Sequence, residues 1–154
     1  MMDTLATLPA APKREFLRAH ATAGMVIALA GHARNAADLA LLDDAEEIAA
    51  MLCDRYDGPH ARFVVWNTRG AVLRALGCLH EARVALDRAA AELDTAPPAY
   101  AAAFRADLSL DRATLLMELG DPAAARESAW SAAQWFRETG ERTGVARVAR
   151  IVTQ

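Results

Sequence analysis

The sequence predicts an all-α fold, an α-solenoid of about three antiparallel helical hairpins followed by a short C-terminal capping helix. Apolar residues recur every three or four positions along most of the chain, which is the period of a helix with one buried face. Glycines interrupt these stretches in a repeated frame, with a small residue seven positions before each glycine and an alanine five positions after it. The glycines are Gly31, Gly77 and Gly120, preceded by Gly24, Gly70 and Ala113 and followed by Ala36, Ala82 and Ala125.

This frame indicates an internal repeat, because stacked helical hairpins bury a continuous core between neighbours. The alternative is an irregular bundle of antiparallel helices. It would contain the same helices and differ only in how they stack.

Length and composition bound the organisation of the chain. Its 154 residues, 54% of them hydrophobic, suffice for one domain, which we place at residues 13–154 after a flexible tail at residues 1–12. The net charge of −3 argues against binding to nucleic acid or to a membrane surface, and the longest apolar run, residues 21–31, is too short to span a bilayer. Cys53 and Cys78 fit free thiols in a reducing cytoplasm.

The first hairpin is predicted from two helical stretches. Residues 13–30 form its first helix, and the second runs from an N-cap at Asn35 as far as Tyr56. This second helix could be interrupted near Asp43 and Asp44, where a capping box is possible. Residues 57–59, with the sequence Asp-Gly-Pro, are predicted to be a stop and a turn.

The central hairpin has the clearest pattern. Gly77 separates two apolar periods and is the expected left-handed cap of the helix before it. The first period contains Val65, Val72, Leu73 and Leu76, and the second contains Leu79, Ala82, Leu86, Ala89 and Leu93. The small residues Gly70, Ala82 and Ala89 would allow the two helices to cross closely.

The last hairpin and the terminal helix follow from local stop and start signals. Pro98 suits a first helical turn, and a helix is predicted over residues 99–119. After Gly120, Asp121 is the expected N-cap and Pro122 the first residue of a helix that extends to residue 138. Gly140 ends that helix, and residues 143–152 form the last one.

Residues 66–94 resemble one tetratricopeptide repeat. The matching positions are Trp66, Gly70, Leu73, Gly77, Ala82, Leu86 and Ala89. Leu73 and Leu86 replace the usual aromatic residues, Arg69 stands where leucine is usual, and Asp94 where proline is usual. Residues 118–126 and 136–142 look like the helical-repeat half of large bacterial transcription regulators, which suggests a bacterial origin.

The resemblance implies a concave groove lined by the first helix of each hairpin. The residues carried over to it are Arg18, Ala21, Met25 and Ala28, then Asn67, Ala71 and Arg74, and then Leu110, Thr114 and Met117. Family members that hold a terminal carboxylate use more cationic residues here, so this groove fits a hydrophobic peptide or helix better. The same residues could instead close against each other in a compact bundle.

Catalytic and cofactor motifs are absent from the sequence, so we expect no enzyme activity, no cofactor and no metal. The acidic residues at positions 43, 44, 46 and 47 are typical of a solvated helix start. Of the histidines, His20 is the one candidate for a ligand, whereas His32 and His80 follow turn glycines and should be solvated. Arginines near the C-terminus alternate with Glu138 and Glu141, which does not favour nucleic-acid binding.

The sequence leaves three functional classes open. The first is a protein- or peptide-binding adaptor that uses the groove, and the second is a stand-alone sensor or regulatory module. The third is a small enzyme or ligand carrier, for which a cavity lined by His20, or by Asn67 and Arg74, with a perturbed titration would be support. The apolar C-terminal helix should either pack on Trp130 or Trp135 or pair with a second copy as a homodimer.

Overall fold

The computed structural model describes residues 21–22, 24–25, 33–52, 58–96 and 98–153. These residues form six α-helices and contain no strand, which confirms the all-α class. The helices are α1 (Leu39–Ala50), α2 (Gly58–Ala75), α3 (Leu79–Thr95), α4 (Pro98–Glu118), α5 (Pro122–Glu138) and α6 (Arg142–Val152). Residues 21, 22, 24 and 25 are also helical.

Each described helix packs on the next one in the chain, and alternate helices also meet. Besides the sequential contacts, α2 contacts α4 and α4 contacts α6. Helix α4 therefore contacts two helices, α2 and α6, that are not its neighbours in sequence.

The turns after α2, α4 and α5 share one geometry. Gly77, Gly120 and Gly140 have φ values of 77°, 79° and 74°, in the left-handed region that favours glycine. In each turn the residue after the glycine donates its backbone N–H to a carbonyl five residues earlier, as from Cys78 to Leu73 over 2.9 Å. The three glycine stops predicted for these helices are confirmed.

The start signals of the last hairpin are confirmed as well. Pro98 is the first residue of α4 and Pro122 the first residue of α5. The Asp121 side chain accepts a hydrogen bond from the backbone N–H of Ala124 at 3.0 Å, which caps α5. The bounds of these helices agree with the predicted ones to within a residue.

The predicted boundaries around α1 were wrong in three respects. Asn35 caps a short 3-10 helix, Ala36–Asp38, rather than α1 itself, and α1 ends at Ala50 rather than at Tyr56. Helix α1 also continues without interruption through Asp43 and Asp44, where the sequence had allowed a break and a new cap. Residues 53–57 lie outside the described part of the chain.

The predicted turn at Gly58 and Pro59 was also wrong. Both residues lie in the first turn of α2, and both are buried. Proline is compatible with this position because the first backbone N–H groups of a helix have no acceptor within it. A Gly-Pro pair that resembles a stop is here a helix start.

The core consists of three clusters of buried side chains, joined through shared helices. The first lies between α1 and α2, the second among α2, α3 and α4, and the third among α4, α5 and α6. Alanine is frequent in all three, which lets the helix backbones approach closely. The largest fully buried side chains are Phe136, Leu42, Leu86, Leu93, Leu115 and Val65.

Two glycines lie where neighbouring helices touch. A Cβ atom added at Gly70 of α2 would come within 2.5 Å of Leu86 Cδ2 on α3, so this glycine is required by the crossing, as predicted. A Cβ atom at Gly144 of α6 would collide with the ring of Phe136 on α5, a close contact that the repeat frame did not predict. By contrast, among the residues that the structure describes, none has an atom within 4 Å of a Cβ atom added at Gly24.

The C-terminal helix packs within the chain. Val148 of α6 is buried in the third cluster, and Val145, Ile151 and Trp135 pack against the same cluster. Trp130 is 59% exposed, with the Arg137 guanidinium 5.5 Å from its ring centre. Pairing with a second copy stays a prediction.

Candidate functional site

The structure separates the predicted groove residues by exposure. Ala21, Met25 and Ala71 are exposed, whereas Asn67, Arg74, Thr114 and Met117 are half-buried. Arg18 and Ala28 lie outside the described residues. The predicted groove residues on α2 and α4 that keep some exposure are therefore Asn67, Ala71, Arg74, Thr114 and Met117.

Leu110 does not line this surface. It is 3% exposed and belongs to the third core cluster, together with Phe136 and Val148. Its place follows from the period of α4, because Ala106, Leu110 and Ala113 form one stripe that faces α5 and α6. The repeat frame predicted that Leu110 lines the groove, and this prediction was wrong because α4 turns this position towards α5 and α6.

A polar cluster occupies the face where α2, α4 and α6 meet. We call it the α2–α4 polar cluster. Its two ion pairs join Arg74 Nη1 to Glu118 Oε1 at 2.8 Å and Arg147 Nη1 to Asp107 Oδ1 at 3.3 Å. The members are Asn67 and Arg74 of α2, Asp107, Asp111 and Glu118 of α4, and Arg147 of α6.

Asp111 lies at the centre of this cluster and has the most perturbed environment. Burial raises the pKa of its carboxyl above 3.8, and the nearby Asp107 carboxylate raises it further. Arg74, Arg147 and a hydrogen bond from the Asn67 side chain act in the opposite direction but do not outweigh burial. Within the described part of the chain, Asp111 makes no ion pair, and the two nearby arginines, Arg74 and Arg147, are paired with Glu118 and Asp107.

Asn67 is left with an unused acceptor. Its Oδ1 atom is buried and has no hydrogen-bond partner among the described residues. A buried acceptor without a donor costs roughly 1–3 kcal/mol. The cluster therefore contains one buried acceptor, the amide oxygen of Asn67, whose hydrogen bond is not made within the described residues.

The acidic residues of α1 serve a different purpose. Asp43 and Glu46 bind Arg69 of α2, with Nη2 of Arg69 at 2.5 Å and 3.4 Å from their carboxylate oxygens. The predicted helix start at these residues was wrong, because they lie in the middle of α1, and two of them form an ion-paired contact between α1 and α2. Arg88 of α3 lies 4.5 Å from the ring centre of Trp66, beside this contact.

The described residues offer no metal site, and the described histidines lie outside the polar cluster. Across the described ranges, no three side chains of the types His, Cys, Asp or Glu are placed to hold a metal ion. His80 is exposed, as predicted, and the ring of His60 contacts Phe104 at a centroid distance of 4.8 Å. His20 and His32 lie outside the described residues.

Three cavities bounded by described residues lie away from the polar cluster. One of about 280 Å³ lies beside Trp66 between α1, α2 and α3, and one of about 220 Å³ lies between α3, α4 and α5. A third, of about 370 Å³, lies next to Trp135 and Arg105. Asn67, Arg74 and Asp111 line none of these three.

Asp111, which links the predicted Asn67 and Arg74, was not predicted from the sequence. A signal was present, because Asp107, Asp111 and Glu118 are spaced by four and seven residues and share one face of α4. In the sequence, this spacing of acidic residues is typical of the solvent-exposed face of a helix. Only the approach of α2 turned that stripe into a partly buried cluster.

In comparisons with family models, with curated proteins and with solved structures, nothing matches this chain. The resemblance to a tetratricopeptide repeat therefore rests on Trp66, Gly70 and the other matching positions of residues 66–94 alone. None of the described helices combines the length and the apolarity that crossing a membrane requires.

Proposed function

We propose that this chain is a non-catalytic, protein- or peptide-binding adaptor of the tetratricopeptide type. In this proposal the helices stack as a solenoid of hairpins, with α2–α3 and α4–α5 as two of them and α6 as the capping helix. The partner lies across the face formed by the first helices of the hairpins.

One observation carries the proposal. The first helices of two successive hairpins, α2 and α4, contact each other and bring Asn67, Arg74 and Asp111 together on one face. Contact between the first helices of adjacent hairpins is what a solenoid requires. The repeated left-handed glycine turns and the close crossing at Gly70 support the same arrangement.

The composition of this face differs from the apolar groove expected from the sequence. Leu110 is buried in the core, and Thr114 and Met117 are half-buried. The Thr114 hydroxyl donates a hydrogen bond to the Leu110 carbonyl at 3.0 Å. The polar cluster remains as the main source of specificity. A partner with a polar group that meets Asn67 and Asp111 fits this face better than a wholly apolar helix.

The test is a pull-down from native lysate with wild type and with the double variant Asn67→Ala, Arg74→Ala. The control is the double variant Arg126→Ala, Gln134→Ala, which removes similar side chains from exposed positions on α5. We expect a partner that is retained by wild type and by the control and lost from the groove variant. Equal retention by all three, with folding verified by circular dichroism, would exclude this face as the docking site.

A ligand carrier or an enzyme is the second candidate, and the raised pKa of Asp111 beside Asn67 and Arg74 favours it. A thermal-shift screen with small polar metabolites separates the two functions. A ligand that stabilises wild type and fails to stabilise Asp111→Asn would favour the second candidate. The regulatory module related to bacterial transcription regulators remains an alternative setting for either function.

A further inference from the structure

We propose that the cavity beside Trp66, between α1, α2 and α3, binds a small apolar α-amino acid in its zwitterionic form. We call this cavity the Trp66 cavity. It shares no residue with the predicted groove or with the α2–α4 polar cluster, so this inference goes beyond the adaptor function. It follows from the shape of the cavity and from an ion pair at its opening that is only partly formed.

The Trp66 cavity has an apolar floor and an opening to solvent. Ala49 of α1 and Val65 of α2 line it and are fully buried, whereas Ala50 and Ala91 line it and are exposed. Its volume of about 280 Å³ equals that of roughly nine water molecules at about 30 Å³ each. The room therefore suits a ligand of roughly nine non-hydrogen atoms, with its apolar part against Ala49 and Val65.

The partly formed ion pair joins Arg88 of α3 to Glu46 of α1, which both line the cavity. Arg88 Nη1 lies 3.8 Å from Glu46 Oε1, which is beyond hydrogen-bond distance. The Arg88 guanidinium makes no hydrogen bond to any described residue. Glu46 Oε2 lies 3.4 Å from Arg69 Nη2, while its Oε1 accepts no hydrogen bond within the described ranges. Free donors and a free acceptor thus lie side by side at the cavity.

The remaining charges of the cavity lining form a complete pair. Arg62 Nε donates to Glu92 Oε2 at 2.7 Å, so neither group depends on a ligand for its charge partner. The lining contains two guanidinium groups and two carboxylates, and their charges cancel. A ligand with a net charge would leave one charge uncompensated in the cavity, whereas a zwitterion would not.

An α-amino acid matches the pair of Arg88 and Glu46 because its carboxylate and its ammonium group are attached to one carbon atom. The carboxylate would accept the parallel N–H donors of Arg88, and the ammonium group would donate to Glu46 Oε1. Glu46 would keep its contact with Arg69 through Oε2. The side chain of the amino acid is then free to lie on the apolar floor.

Trp66 acts as a positioning residue for Arg88. The guanidinium lies 4.5 Å from the centre of the Trp66 ring, where the cation–π attraction restricts its orientation. Without this contact, a side chain that is 60% exposed would lose more conformational freedom on binding a ligand. The donors of Arg88 are therefore held beside the cavity before a ligand arrives.

Isothermal titration calorimetry with leucine and two analogues tests the charges of the ligand. Leucinamide lacks the carboxylate, and 4-methylpentanoate lacks the ammonium group. We expect leucine to bind wild type and each analogue to bind at least about tenfold more weakly, the scale of one charge-assisted hydrogen bond. Valine, isoleucine and methionine extend the test to other small apolar side chains. If none of the four amino acids binds at millimolar concentration, or if an analogue binds as well as its parent, the proposal is overturned.

Three variants assign the binding to the Trp66 cavity. Arg88→Gln should abolish the preference for leucine over leucinamide, and Glu46→Gln should abolish the preference for leucine over 4-methylpentanoate. Arg83→Gln is the matched control, because Arg83 lies on the same helix and its side chain is 59% exposed, against 60% for Arg88. This control should keep both preferences. Unchanged preferences in Arg88→Gln and Glu46→Gln, with folding verified by circular dichroism, would refute the assignment.

Two further variants separate this site from the functions proposed above. Ala91→Leu fills the opening of the cavity from an exposed position and should weaken leucine binding at least about tenfold. Asp111→Asn should bind leucine as wild type does, because Asp111 does not line the cavity. Loss of leucine binding in Asp111→Asn, with binding retained in Ala91→Leu, would place the ligand elsewhere and overturn the proposal.

Discussion

Substituting Gly70 by alanine tests the packing of α2 on α3. The added Cβ atom would lie 2.5 Å from Leu86 Cδ2 and 2.8 Å from Leu86 Cγ, and Leu86 is almost fully buried and cannot move freely. Overpacking of this kind costs about 1–3 kcal/mol. Replacing a mid-helix glycine by alanine returns about 0.5–1 kcal/mol. The expected net result is a loss of up to roughly 2.5 kcal/mol in the free energy of unfolding.

Gly24→Ala is the matched control for this substitution. Gly24 occupies the same place in the repeat frame and is helical, but its added Cβ atom would meet no atom of the described residues within 4 Å. Urea denaturation followed by circular dichroism measures both variants. We expect Gly24→Ala to be neutral or stabilising and Gly70→Ala to be destabilising.

The same substitution, made in a variant that already carries Leu86→Ala, tests whether contact with Leu86 is the reason for the glycine. With Leu86→Ala, the nearest remaining neighbour of the new Cβ atom is the Ala82 carbonyl oxygen at 3.4 Å, which is an ordinary contact. Gly70→Ala should then stabilise the chain by about 0.5–1 kcal/mol, which reverses the sign of its effect. If Gly70→Ala destabilises both backgrounds equally, or stabilises the wild type, contact with Leu86 is not the reason for the glycine.

Three further predictions concern other parts of the chain. Because the folded-state pKa of Asp111 is raised, its contribution to stability is fully present below pH 3.8 and is lost as the pH rises through the raised value. Asp111→Asn should therefore be more stable than wild type at pH 7, and this advantage should shrink on acidification in pH-dependent denaturation curves. Gly144→Ala should cost more than Gly70→Ala, because the rigid, fully buried ring of Phe136 blocks the new methyl group, and thermal melting would show the order. Asp121→Ala should cost about 0.5–2 kcal/mol by removing the cap of α5, whereas Asp44→Ala should change the urea midpoint little.

Local signals allowed the stops and starts of the helices to be predicted from the sequence. Gly77, Gly120 and Gly140 end helices because their own backbone adopts a positive φ, and Asp121 caps α5 through a neighbour three residues away. Such interactions depend only on adjacent residues. They would be the same in any stacking of these helices.

Features that depend on how helices face each other could not be predicted. Gly24 and Gly70 hold equivalent places in the repeat frame, yet of these two only Gly70 has a side chain of another helix within 4 Å of an added Cβ atom. The site shows the same limit, because Asn67 and Arg74 were predicted from the frame but their link to Asp111 required the approach of α4 to α2. Gly58 and Pro59 show that a turn signal and a helix start can have the same residues.

The division of the core into three clusters has a consequence for how the chain loses its structure. Helix α2 is shared by the first two clusters and α4 by the last two, while α1, α5 and α6 each belong to a single cluster. The outer helices can therefore open locally without dissolving the whole fold, and α2 and α4 should be the last to exchange their amide hydrogens. Asn67, Arg74 and Asp111 lie on the two helices whose release requires global unfolding, so a partner bound there would slow amide exchange in α2 and α4 and leave exchange by local opening of the outer helices unchanged.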